Sequence, residues 1–164
     1  ETVMITRFAE HTRAVVGQAE KEAAAAGSPV IEAEHLLLAL ASAPGTEAYD
    51  VLTAAGLGHD AVSAALDEEM RQSLAVAGVA LPPGRLPRPS RNAAHKARLG
   101  ASSKLALQRA LKATAGQRQI RPGHLLLGVL GAQAGTVPRA LAVAGADQAE
   151  LTLRTRQALA SRPE

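Results

Sequence analysis

EAEHLLLAL, residues 32–40, and RPGHLLLGVL, residues 121–130, decide how this chain is read. Each sets a histidine ahead of three leucines, and those histidines, His35 and His124, stand 89 positions apart. A helix almost wholly apolar has no face to show to water, so each phrase is expected at the centre of a bundle. The offset recurs outward from the phrase. Gly27 matches Gly116, Ile31 matches Ile120, and Leu52, Ala55 and Gly56 match Leu141, Ala144 and Gly145.

The segments around the first phrase complete a unit of four helices. Periodicity from about Thr6 places Phe8, Val15, Val16, Ala19 and Ala23 on one stripe until Gly27, Ser28 and Pro29 break it. The phrase itself predicts a helix over 33–43, ended by Pro44 and Gly45. Thr46 can cap a third helix that Gly56 closes, and a fourth, over about 60–74, carries Val62, Leu66 and Met70 at a spacing of four. The second half repeats the plan and closes with a helix opened by Asp147, with Glu150 three residues on as in a capping box. An all-α fold follows, a tandem pseudo-twofold repeat of a four-helix unit: repeat 1 over 1–80, a Pro/Arg-rich linker over 81–95 and repeat 2 over 96–164. The linker stretch LPPGRLPRPSR, with four prolines and a glycine, is incompatible with regular helix.

Composition narrows the chemistry. The 164 residues contain no cysteine, which excludes disulfides, thiolate metal sites and cysteine nucleophiles. More than a fifth are alanine and the only aromatics are Phe8 and Tyr49, so the helices must approach closely through small side chains and leucines. No apolar run nears the roughly 20 residues that cross a bilayer, and no signal peptide is read ahead of the first helix, so a cytoplasmic location with no membrane partner is expected. Charge divides the chain. Residues 1–80 hold 12 acidic and 4 basic side chains, and residues 81–164 hold 3 and 14. The two halves can attract one another across their contact, or offer partners oppositely charged surfaces.

RFAEHTRAVVGQAEKEAAAAG, then IEAEHLLLAL, a Gly-closed short helix and an amphipathic last one resemble the Clp N-terminal (Clp repeat) domain of ClpC- and ClpA-type Hsp100 unfoldases. The family motif is close to GTEHLLLGL, and the resemblance covers nearly the whole chain. It implies a double bundle that binds adaptor proteins and substrates for an unfoldase and its peptidase in regulated proteolysis. The ATPase modules that follow in the family have no counterpart here, since no GxxxxGK[ST] loop occurs to cradle phosphates. Met4 stands where an initiator methionine does in ClpC-like chains, and the tail ALASRPE reads as a natural end. The chain is expected to be either a fragment cut from a larger unfoldase or, as that tail favours, a stand-alone protein, in both cases a monomeric docking domain acting as adaptor, decoy or receptor.

The resemblance also implies ligand residues. Some members bind phosphoarginine once per repeat through the glutamate of the TEH motif, where a carboxylate suits the guanidinium fork and a helix N-terminus suits phosphate. Glu34 holds that place here, with Glu32 beside it, but Gly123 holds it in the second repeat and Ala33 and Pro122 replace the threonine. One site rather than two follows. Both glutamates also suit the positive end of a helix. Cyclic peptide antibiotics that target ClpC are a second ligand class, and sequestering them is an alternative function. Ile5 and Phe8 would be the apolar contacts, with Ala97 standing where repeat 2 would need a phenylalanine.

Other chemistries find little to stand on. His35 and His124 have no second ligand at metal spacing, so they are read as structural, holding the starts of their helices, while His11, His59 and His95 are read as solvated. No nucleophile elbow or paired carboxylate suggests catalysis, and no enzyme activity, cofactor or metal is expected. Nucleic-acid binding through Arg85, Arg88, Arg91, Lys96, Arg98, Lys104, Arg109 and Lys112 is the rival reading. It lacks an aromatic stacking platform, because both aromatics lie in the acidic half.

Overall fold

The computed structural model describes residues 7–82 and 97–162, so Ile5, His95, Lys96 and the connector arginines Arg85, Arg88 and Arg91 lie outside the described residues. Repeat 1 forms α1 (Glu10–Ala25), a two-residue strand β1 (Val30–Ile31), α2 (Ala33–Leu40), α3 (Glu47–Ala54) and α4 (His59–Val76). Repeat 2 forms β2 (Arg98–Leu99), α5 (Ala101–Ala113), α6 (Pro122–Leu130), α7 (Thr136–Val143) and α8 (Gln148–Ser161). The all-α tandem reading is what the chain adopts. None of the described helices is long and apolar enough to cross a membrane.

The two leucine phrases are the interior rods. In α2 every residue except Glu34 is buried, and in α6 every residue except Leu127. Leu36, Leu37, Leu40, Leu125, Leu126 and Val129 are fully enclosed in one continuous core. Burying a leucine of this kind contributes roughly 1.5–3 kcal/mol. The predicted caps appear where local chemistry sets them. Thr46 Oγ1 accepts from the Tyr49 backbone N–H at 3.2 Å, and Asp147 Oδ1 accepts from those of Ala149 and Glu150 at 3.0 and 3.1 Å.

Each first helix is tied to the other repeat's phrase. Phe8 pairs with Ile120 and Leu99 with Ile31 in parallel bridges. Their counterpart hydrogen bonds run from Ala9 N–H to the Ile120 carbonyl at 3.1 Å and from Gly100 N–H to the Ile31 carbonyl at 2.8 Å. Phe8 therefore corresponds to Leu99, an offset of 91, while Ile31 and Ile120 keep 89. The buried positions agree, Thr12, Val15, Ala19 and Ala23 against Ser103, Ala106, Ala110 and Thr114. Repeat 2 is two residues shorter after its first helix, so Leu99, not Ala97, occupies the place of Phe8.

The repeats are not separate bundles. The short third helices are exchanged: α3 packs on α8 and α6, and α7 packs chiefly on α4. The exchange moves the buried face of α4 away from the expected stripe. Met70 is 49% exposed, while Glu69 is 5% exposed and pairs with Arg139 of α7 at 2.7 Å. At about 100° per residue, position 69 returns closer to the Val62 face than position 70 does, because a strict spacing of four drifts around a helix of 3.6 residues per turn. The division of charge is spent inside the molecule here. Glu47 pairs with Arg121, Glu69 with Arg139 and Asp50 with Arg162, each an acid of repeat 1 on an arginine of repeat 2.

Candidate functional site

The starts of α2 and α6 are built alike. The residue before each helix is extended, and its backbone N–H donates to the imidazole Nδ1 three residues on, Glu32 to His35 and Arg121 to His124, both at 2.9 Å. The ring takes the part that a glutamate or glutamine plays in an ordinary capping box. It needs burial to hold that position, and both histidines are buried. They fix the helix starts, as their place in the sequence suggested.

What surrounds those two starts differs. At α2, Glu32 turns away from its own helix: its carboxylate accepts from the Ser102 backbone N–H at 3.3 Å and from the Ser102 hydroxyl, at the start of α5. The Ala33 N–H in turn donates to Ser102 Oγ at 2.8 Å. A Cβ at Gly100 would lie 2.0 Å from Glu32 Oε1, so only glycine lets this carboxylate settle on α5. Glu32, expected to help hold a cation, thus satisfies the N-terminus of the other repeat's first helix.

Glu34 has no such engagement. It lies half-buried in the first turn of α2, and no cation among the described residues pairs with it. Burial pushes its carboxyl above the ordinary glutamate value, and the charges of Glu32 and Glu69 push the same way, against a backbone hydrogen bond that lowers it. Glu69 already has its partners, Arg139 Nε and Ser73 Oγ, both at 2.7 Å. The site is a cluster of carboxylates in which Glu34 has no counter-charge among the described residues.

At α6 the equivalent space is full. Glu47 Oε1 accepts from the Gly123 N–H at 2.8 Å and lies 3.7 Å from Arg121 Nε. Arg121 Nη1 also donates to the Leu159 carbonyl at 3.4 Å. A Cβ on Gly123 would meet Leu159 Cδ2 at 2.6 Å and Glu47 Cγ at 2.8 Å, so no side chain fits at this position without displacement. Phe8, the expected apolar contact, is 5% exposed and part of the core beside Ile120. Sequence reasoning missed Glu47, Ser102 and Arg139, whose signal lies in partners 69 or more residues away. Among the described residues no group of three His, Asp or Glu side chains could hold a metal ion.

Among solved structures, the N-terminal domain of the chaperone ClpD from Arabidopsis thaliana is similar at a TM-score of 0.69 and 19% identity, over 94% of this chain and 96% of that one. The Hsp104 N-terminal domain from Candida albicans matches at 0.64 and 16%, over 94% and 93%. The ClpV N-domain in complex with a VipB peptide matches at 0.55 and 18%, over 99% and 93%. No curated protein sequence matches the chain. The family described as the Clp repeat (R) N-terminal domain matches residues 7–98, more than half the sequence and the whole of the first leucine phrase. With the exchanged double repeat and the histidine-held helix starts, that match makes this chain a member of the Clp repeat N-terminal domain family.

Proposed function

We propose that the chain is a non-catalytic protein- and peptide-binding domain of the Clp chaperone–protease system, serving as adaptor, decoy or receptor domain, and that Glu34 receives a guanidinium group of its ligand, phosphoarginine included. The observation that carries this reading is the half-buried Glu34 carboxylate, held beside Glu32 and Glu69 with no cation among the described residues to pair with it. A planar cation reaching that carboxylate supplies the missing charge and restores the hydrogen bonds that burial removed. The ClpV N-domain has been captured with a VipB peptide, which supports peptide binding as work this fold can do. One ligand per chain is expected, because Glu47, Arg121 and Leu159 fill the second recess.

Isothermal titration with free phosphoarginine and with arginine amide tests this. Heat saturating at one ligand per chain, and binding at least about tenfold weaker in Glu34→Gln, is the expected result, since a hydrogen bond to a charged group contributes about 1.5–3 kcal/mol. No heat from either ligand, or heat that Glu34→Gln leaves unchanged, removes the proposal.

A further inference from the structure

The repeats leave unequal gaps between their first and fourth helices. In repeat 1 His59, at the start of α4 and with its side chain 37% exposed as a solvated residue is expected to be, also reaches across to Glu22 of α1 at 3.0 Å, and Leu38 is 4% exposed. In repeat 2 the corresponding residues are Gln148 and Ala113, which cannot repeat that bridge. Gln148 instead turns back to the carbonyls of Leu130 and Ala132, at 2.6 and 2.7 Å. Among the described residues no side-chain hydrogen bond or ion pair joins α5 to α8. Leu127, in the place of Leu38, is left half-buried.

The resulting groove, about 620 Å³, runs between α5 and α8 over α6. Its floor includes Leu127 and Leu159, its walls carry Arg109, Lys112 and Arg156, and no acidic residue lines it. Arg109 is steadied by a 3.5 Å hydrogen bond to the Gly128 carbonyl, while Lys112 and Arg156 are exposed. No carboxylate among the described residues pairs with any of the three. The sign has also been reversed between repeats, since Arg156 stands where repeat 1 has Asp67.

We propose that this groove docks an acidic amphipathic segment of a partner protein, with leucine-type side chains on Leu127 and Leu159 and carboxylates on the three cations. Charge complementarity fixes the sign of the occupant, and the apolar floor requires that it also carry apolar side chains. A nucleic-acid backbone has nothing to place on leucines, and the one aromatic ring lining the groove, the His124 imidazole, is buried and holds the Arg121 N–H, so it is not offered to stack a base. The surface is distinct from Glu34 and does not depend on it.

Fluorescence anisotropy with a labelled peptide of about fourteen residues, leucines at helical i, i+4, i+7 spacing and glutamates elsewhere, tests the assignment. Wild type and Glu34→Gln should bind it equally, and the double variant K112E/R156E, altered only at exposed positions, should bind at least about tenfold more weakly, with affinity falling as salt rises. A peptide with alanine for each leucine should also lose about tenfold or more. The proposal falls if no binding is seen at about 1 mM peptide, or if K112E/R156E binds as wild type does. Equal binding of the alanine peptide, or its displacement with the leucine peptide by random duplex DNA, would show a general polyanion surface and overturn it as well.

Discussion

The starts of α2 and α6 share a backbone, a histidine and a leucine run, yet one carries a carboxylate unpaired among the described residues and the other has no room for a side chain. Three residues make the difference. At α6, Arg121 points inward, Glu47 of the exchanged helix α3 accepts from the Gly123 N–H, and Leu159 of α8 covers what remains. At α2 the corresponding positions are Glu32, drawn off to α5, Thr136, and Met70, which is half exposed. The contrast separates what fixes the helix starts from what sets the room and charge beside them. The imidazole-to-backbone hydrogen bond is common to both sites, while the room and charge beside each helix start depend on its own repeat's side chains together with one from the exchanged helix, Glu47 at α6 and Thr136 at α2.

The sharpest way to break this contrast is Gly123→Glu, which writes the first repeat's carboxylate into the second. A side chain there collides with Leu159 and Glu47 and places two carboxylates together, so thermal unfolding should show a loss of about 3 kcal/mol or more. A variant with wild-type Tm that bound a second guanidinium would show the two recesses to be interchangeable. Somewhat smaller is Glu47→Ala, which strands the largely buried Arg121 and orphans the Gly123 N–H. It should cost about 2–4 kcal/mol in urea unfolding, with much of the loss recovered by adding Arg121→Met. No recovery in the double variant would mean that Glu47 acts through packing rather than through the pair.

The smallest effect sharpens the open side. Because the Glu34 carboxyl is raised in the folded state, its full contribution to stability is present below the ordinary value of 4.5 and is lost as pH rises through the folded value. Glu34→Gln should therefore be the more stable protein at pH 7, and its advantage should vanish below about pH 4. Ligand binding runs the other way, weakening as acid neutralises the carboxylate. A Gln variant less stable than wild type at neutral pH would mean that attraction to the α2 N-terminus outweighs burial.

Much of this was legible in the sequence, and the exceptions share a cause. Thr46 and Asp147 cap helices a few residues on, the glycine-closed turns are local, and the leucine phrases announce their own burial, so the double four-helix plan could be read directly. The exchange of α3 and α7 could not, because no residue records which α4-type helix it will cover. Glu32 shows the same limit. It sits before a helix whose N-terminus it was expected to favour, yet its acceptor role goes to Ser102, 70 positions on. The two-residue difference in length after the first helices was hidden by the alanine-rich composition, in which Ala97 and Leu99 both match Phe8 until the strand bridges choose between them.

The traded short helices bear on how such a chain could have arisen. A single repeat would carry a helix able to cover only another molecule's fourth helix, so two copies would have to clasp around a twofold axis, each completing the other's interior. In such a homodimer any substitution would alter both helix starts at once, whereas in one polypeptide each copy can differ, with a carboxylate at Glu34 and glycine at Gly123.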